Sequence, residues 1–234
     1  MKKTLTVLSG AGMSAESGIS TFRDSNGLWN NYRVEDVATP EGFAANPELV
    51  LDFYNQRRRQ LLNTMPNAGH YALAELEKSF DVHIVTQNVD NLHERAGSTQ
   101  VIHLHGELMK SCSVSDVNTP YDIPPENPDL HLGDKDPYGN QLRPFIVWFG
   151  ESVPMIEPAI ERVLSSDIFA VIGTSLNVYP AAGLLSYVRH GIPVYLIDPN
   201  EVKTGRTDIH VIRTGASEGV RQLKKLLEES TQSN

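Results

Sequence analysis

Short apolar runs, each closed by a glycine or a polar turn, alternate along the chain with longer stretches of helical spacing. Thr4–Ser9, Val82–Thr86, Val101–Leu104, Ile168–Gly173 and Pro193–Ile197 read as strands, rich in valine, isoleucine and leucine. Pro47–Leu62, Ala68–Ser79, Met155–Leu164, Ala181–Arg189 and Ser217–Glu229 read as helices. In the second of these, Ala68, Ala72, Leu73 and Leu76 form an apolar stripe of the kind that packs on a sheet. Strands alternating with helices predict an α/β fold with a mainly parallel, Rossmann-like sheet. Two segments break the alternation. One, about 21–62, carries Phe22, Trp29, Tyr32, Phe43, Phe53 and Tyr54; the other, about 110–143, carries Pro120, Pro124, Pro125, Pro128 and Pro137 and few large apolar residues. These two insertions are expected to form a smaller second domain, irregular in its proline-rich half. The large part would then comprise about 1–20, 63–109 and 144–229, within one catalytic unit spanning 1–234 and ending in a flexible tail at 230–234. A crevice between two such parts is a favoured ligand site.

Composition narrows this picture without redirecting it. The 234 residues are 40% hydrophobic and 21% charged, with a net charge of −9, so no broad basic face for nucleic acid is expected. The run Met1-Lys-Lys-Thr-Leu-Thr-Val-Leu8 is too short for an export signal and leads into a glycine turn. No run approaches the ~18 apolar residues of a membrane span. A lone cysteine, Cys112, excludes an intrachain disulfide and fits a reducing cytoplasm. A cytoplasmic monomer is expected.

Three motifs carry the chemistry. After the first strand comes Gly10-Ala-Gly-Met-Ser-Ala-Glu-Ser-Gly-Ile-Ser-Thr-Phe-Arg23. A glycine turn between strand and helix removes side chains where a backbone meets phosphate, and Ser14 adds a hydroxyl; the same pattern alone also fits a turn that serves packing only. After the second strand comes Gln87-Asn-Val-Asp90, at the carboxyl end where open α/β sheets bind ligands. The third is His103-Leu-His-Gly106, where alternation puts Val101, His103 and His105 on one face and Gly106 permits a sharp turn. A histidine pair at i, i+2 is half of a metal site, but no carboxylate or cysteine follows at a matching distance.

Together these segments resemble the sirtuin family of NAD-dependent protein deacylases, over nearly the whole chain. The resemblance implies NAD as a co-substrate that is consumed. It assigns Gly10, Ala11, Gly12, Ser14, Glu16, Ile19, Phe22 and Arg23 to the diphosphate and nicotinamide-ribose portions, Arg23 as a cationic fork for phosphate. Asn88 and Asp90 would line the nicotinamide pocket, with Gln87 on the ribose. Gly173, Thr174 and Ser175 resemble the adenine-ribose contact, and Ala216 the final adenine-side position. Asp198 and Asn200 end the last predicted strand; Asp198 departs from the asparagine usual in relatives, although a carboxylate still accepts from ribose hydroxyls. His105 matches the general base. In that chemistry the acyl-lysine oxygen displaces nicotinamide from the ribose, His105 takes a proton from a ribose hydroxyl, and that hydroxyl attacks the acyl carbon. Water completes the release, and the products are lysine, nicotinamide and 2′-O-acyl-ADP-ribose.

Tyr54 and Arg57, at i, i+3 on one helix, resemble the class III sirtuin signature for succinyl-, malonyl- or glutaryl-lysine, whose carboxylate a phenol and a guanidinium suit. Arg58 and Arg59 beside them read as a solvated helix face. Val147, Trp148, Phe149, Gly150 and Glu151 resemble the extended segment that pairs with substrate peptide, so acyl-lysine proteins are the expected partners. The four zinc cysteines of most sirtuins are reduced to Cys112, and one thiolate does not close a tetrahedral site, so no structural zinc is expected. An ADP-ribosyltransferase, an NAD hydrolase, a hydride-transferring dehydrogenase and a non-catalytic NAD-sensing module remain as alternatives; Tyr54, Arg57 and His105 favour the deacylase.

Overall fold

In the computed structural model, which describes residues 2–19 and 32–232 (the side chains of 230–232 excepted), a six-stranded parallel sheet is flanked on both faces by helices. Its strands are β1 (Thr4–Ser9), β2 (Asp81–Thr86), β3 (Val101–His103), β7 (Ile168–Ile172), β8 (Val194–Ile197) and β9 (Ile209–Ile212), in the spatial order β3-β2-β1-β7-β8-β9. The order reverses at β1, which pairs with β2 on one side and with β7 on the other; the chain leaves the β3 edge, runs through the small lobe and returns as β7. Crevices at the carboxyl ends of strands flanking such a reversal are where doubly wound sheets bind ligands.

Alternation along β1 decides what each face buries. Leu5 and Val7 join Leu73, Leu76, Ile84, Val220, Leu223 and Leu227 under α5 (Ala68–Leu76) and α8 (Ala216–Gln232). Leu8 faces the other side, with Val85, Phe169, Val171 and Leu184, under α7 (Ile156–Leu164) and a 3-10 helix at Ala181–Tyr187. That last element was expected to be an α-helix reaching Arg189. It winds more tightly and ends earlier, with Ser186 Oγ donating to the Gly183 carbonyl. Strand β9 was not expected; it is half exposed, with Ile209 and Ile212 alone turned inward and His210 and Val211 facing out.

The proline-rich segment is more ordered than its composition suggests. Strands β4 (Gly106–Ser113), β5 (Pro120–Asp122) and β6 (Leu142–Ile146) form a small antiparallel sheet in the order β5-β4-β6. Pro120 and Pro144 both sit on edge strands, where a missing N–H costs no ladder bond. Four helices complete the small lobe's surroundings: α2 (Val34–Val37), α3 (Pro40–Ala45), α4 (Pro47–Leu62) and α6 (Leu92–Arg95), besides the one-turn α1 (Gly12–Ala15). The start of α4 is fixed by sequence, since Asn46 Oδ1 accepts from the Leu49 N–H and Pro47 fills the first turn.

Arg58 reverses the expectation of a solvated face. It is fully buried, donating from Nε to the Pro128 carbonyl at 2.6 Å, from Nη1 to Leu108 O, and from Nη2 to Asn55 Oδ1. Asn55 in turn pairs with both backbone groups of Leu130 at 2.9 Å. These two side chains of α4 pin the 128–130 loop, and burial pulls the Arg58 pKa down to about 10. Arg59 is exposed as expected and reaches Asp129 at 2.7 Å. Among the described residues no cluster of three or more His, Cys, Asp or Glu is placed to hold a metal ion, and Cys112 is buried with its pKa raised to about 11 by burial. No described helix is long and apolar enough to cross a membrane.

Beneath the sheet's carboxyl edge lie two fully buried histidines, His70 and His93, whose ring centroids are 4.9 Å apart. His70 Nδ1 accepts from the Asn67 N–H at 3.2 Å, and its Nε2 has no partner among the described residues. Burial lowers both pKa values, that of His70 to about 4. Below pH 6.5 the unfolded chain therefore binds protons that the folded one refuses, and stability falls from pH 6.5 towards 4. Denaturant melts at pH 7.5 and 5 should show that loss, and His70→Asn, whose Oδ1 can take the same N–H, should reduce it, leaving the share of His93.

Candidate active site

The loops after β1, β2 and β7 meet at the topological reversal. There Gly10, Gly12 and Gly173 interlock: a methyl on Gly10 would lie 2.6 Å from Thr174 Cβ, and one on Gly12 would lie 2.7 Å from Gly173 Cα. The Gly12 N–H donates to Gly173 O at 2.8 Å, Met13 N–H to Gly10 O, and Ser14 N–H to Ala11 O. The N–H groups of Gly12, Met13 and Ser14 are thus engaged within the chain, and the glycines let two loops touch. Phe22 and Arg23 lie outside the described residues.

The polar side chains of this junction form a connected set. Asn88 Nδ2 donates to Gly10 O at 3.0 Å and to Ser14 Oγ at 3.1 Å, and Ser14 Oγ donates to Asp90 Oδ2 at 2.9 Å. Asp90 Oδ1 accepts from the Leu92 N–H. Asp90 is 5% exposed, and burial raises its pKa against these hydrogen bonds. Gln87 Nε2 donates to Thr174 Oγ1 at 2.9 Å, which ties the β2 and β7 loops together.

His105 stands over this set. It follows β3, and its Nδ1 lies 3.0 Å from the Gln87 carbonyl. A carbonyl only accepts, so Nδ1 carries the proton and Nε2 presents a lone pair. Nε2 has no hydrogen-bond partner among the described residues. Burial lowers the His105 pKa, partly offset by the Gln87 carbonyl, so the ring is neutral at pH 7. At Gly106 φ is +82°, and a methyl there would collide with Phe145 O. Only glycine turns the chain here, from β3 into β4, without displacing the histidine.

Other expected residues are more scattered. Glu16 Oε1 accepts from the Ser217 N–H at 3.1 Å, at the start of α8. Ile19 packs against the small-lobe core with Phe53, Tyr54 and Trp148. Asp198, 9% exposed at the end of β8, accepts from the Asn200 N–H, and Asn200 is exposed. Ser175 is half-buried beside Thr174, and the Ala216 methyl is buried in the core rather than turned to the crevice.

Tyr54 and Arg57 do share a face of α4. The Arg57 guanidinium lies 5.7 Å from the Tyr54 ring centroid and 5.6 Å from that of Phe53. The Tyr54 hydroxyl accepts from Trp148 Nε1 at 3.0 Å. Burial raises the tyrosine pKa and lowers that of Arg57, while the two groups oppose those shifts in each other.

The segment 147–151 forms no strand; β6 ends at Ile146 and a turn follows. Its donors are already engaged, Val147 N–H with His105 O, Phe149 N–H with Ala38 O, and Trp148 N–H with Glu151 Oε2. Trp148 points inward, its Nε1 donating to the Tyr54 hydroxyl and the Arg143 guanidinium lying 3.5 Å from its ring centroid. Arg143 is itself clamped by Glu151 at 2.7 and 2.9 Å. Phe149 and Gly150 alone in this segment are well exposed. The linkage of Arg143, Trp148 and Tyr54 was not foreseen from sequence; the aromatic run gave its only signal.

A family model described as Sir2 family matches residues 10–180. A relative from Bacteroides thetaiotaomicron, named NAD-dependent protein deacylase, is 62% identical over 229 residues, covering 96% of this chain and 98% of its own. A mutant Sir2 homologue solved with ADP-ribose superimposes with a TM-score of 0.90 at 40% identity, covering 100% of this chain and 95% of that one. Another, solved with 2′-O-acetyl-ADP-ribose, gives 0.85 at 41% identity, covering 98% and 93%.

Proposed function

Since the chain belongs to the Sir2 family, we propose that it is an NAD-dependent protein-lysine deacylase acting best on acyl groups that end in a carboxylate. The observation that carries the reading is His105. Its Nε2 lone pair stands free among the described residues, its tautomer is fixed by the Gln87 carbonyl, and its pKa is lowered. A neutral imidazole so held is a general base, and a binding module has no use for one.

The donor set fits a dinucleotide with one revision. With the Gly10, Gly12, Met13 and Ser14 amides engaged within the chain, side chains do much of the holding: Ser14, Asn88 and Asp90 around the nicotinamide, Gln87 and Thr174 at the ribose, Asp198 and Asn200 at the adenosine hydroxyls. NAD supplies an activated ribose that accepts the acyl group and gives up nicotinamide. Asp90, Asn88 and Ser14 orient the leaving group in a site largely closed to water. His105 removes the proton of the ribose hydroxyl that attacks the acyl carbon; the lysine amine then leaves, and one water molecule completes the release of 2′-O-acyl-ADP-ribose.

Tyr54 and Arg57 give the acyl preference. A half-buried guanidinium beside a phenol that still has its own O–H to donate is a receptor for a carboxylate. Substrate peptide would lie against the exposed Phe149–Gly150 turn, using few side-chain contacts. Purified protein incubated with NAD and a panel of succinyl-, malonyl-, acetyl- and longer acyl-lysine peptides, followed by mass spectrometry, tests all of this together. Succinyl or malonyl turnover at least equal to acetyl, with O-acyl-ADP-ribose formed, is the expected result. ADP-ribose released without peptide would favour a hydrolase, and ADP-ribose transferred to protein would favour a transferase.

A further inference from the structure

His103 and His105, two residues apart, both reach the loop that follows β2. His105 Nδ1 meets the Gln87 carbonyl and His103 Nδ1 the Asn88 carbonyl, each at 3.0 Å. Both must donate, since carbonyls only accept. Their second nitrogens differ. His105 Nε2 has no hydrogen-bond partner among the described residues, whereas His103 Nε2 lies 2.7 Å from Glu94 Oε1, on α6. An ionised carboxylate also only accepts. With both contacts formed to an ionised Glu94, His103 is an imidazolium, next to a neutral His105.

We propose that His103, fixed by Glu94, is a positioning residue for the reaction: its imidazolium locks the Asn88 carbonyl and so presents Asn88 and Asp90 beside His105. This rests on the reading of His105 as the base and of Gln87–Asp90 as the nicotinamide side. Asn88 is gripped by its N–H, which donates to Thr86 Oγ1, by its side chain, held at Gly10 and Ser14, and by its carbonyl, held at His103. Removing the second proton from His103 leaves two acceptors competing for one N–H. The charged and titratable groups facing His103 are Glu94, Asp90 and His93 from α6 and the loop before it, and Glu107 from β4, with Lys110 facing Glu94. Burial pulls the His103 pKa down, yet the hydrogen bond and charge of Glu94, helped by Glu107, leave it raised. Its positive charge also counters the burial of Asp90, favouring the carboxylate there. The side chain of His103 is 8% exposed, so water does not substitute readily for either partner.

Two measurements test this. Nitrogen NMR of the histidine-labelled wild-type protein reads protonation without any reference to activity. His103 should carry both protons at pH 6 and titrate above the ordinary value of about 6.5, with His105 titrating below it as the Nδ1–H tautomer. The pH dependence of kcat/KM for NAD should then show an acid limb from His105 and an alkaline limb from His103. His103→Phe should raise the KM for NAD about tenfold, the scale of one hydrogen bond from a charged donor, and leave the KM for acyl-peptide unchanged. His103→Asn, whose Nδ2 can still donate to the Asn88 carbonyl, should recover most of that loss while lacking the alkaline limb. Glu94→Gln should also lose that limb, because a neutral His103 can then keep both contacts. A merely structural role would affect both substrates alike and leave the limbs in place. A neutral His103 at pH 6, or a His103→Phe enzyme with the wild-type NAD KM and pH profile, overturns the proposal. Wild-type protein inactive on every acyl-peptide would remove the functional reading instead and leave the NMR result to stand by itself.

Discussion

His105→Ala is expected to give a folded protein whose deacylation falls by ~10²–10⁴-fold, the usual cost of losing a general base. His105 contributes one internal side-chain contact, to the Gln87 carbonyl, and sits outside the apolar clusters of the sheet, so its removal should leave the melting temperature close to wild type. The wild-type pH profile carries the same information. His105 must be neutral to accept a proton, and burial lowers its pKa, so full activity should persist below pH 6.5 and decline only as the pH passes the depressed value. A His105→Ala enzyme retaining near-full turnover with NAD and acyl-peptide would remove the assignment.

The second large effect is selective. Arg57→Met keeps the length of the side chain and its contact with the rings of Phe53 and Tyr54 while deleting the charge. Succinyl- and malonyl-peptide turnover should drop by ~10–100-fold, because a carboxylate brought into a partly dry pocket loses its charged partner. Acetyl-peptide turnover, which never used that charge, should change by no more than a few-fold. Parallel kcat/KM measurements on matched peptides decide the matter, and equal losses on both would mean that Arg57 supports the fold rather than the substrate.

The parts of the molecule that obey a local period were readable. Strand β1 and helix α4 have the boundaries their sequences predict, because an apolar run and an Asn46–Pro47 start are complete within themselves. The placing of His105 beside the Gln87 loop follows from a parallel sheet whose strands end at one edge. What escaped was decided by partners distant in sequence. Three consecutive arginines point in different directions around a helix, but only the loop arriving from residues 128–130 makes Arg58 the buried one. That Gly10 and Gly12 also pack against Gly173, more than 160 positions later, shows only once the two loops are side by side. Glu94 became visible as the partner of His103 only after α6 was packed behind β3.

Helix α4 has one further implication. Asn55 and Arg58, which tether the 128–130 loop, alternate on the same two turns with Tyr54 and Arg57, the pair proposed to receive the acyl chain. Retargeting this enzyme towards other lysine modifications by shuffling that helix would therefore loosen an anchor each time it altered a recognition group. Laboratory evolution should find new acyl preferences through point changes at 54 and 57, and should reject insertions, deletions or helix swaps that shift the register by even one residue.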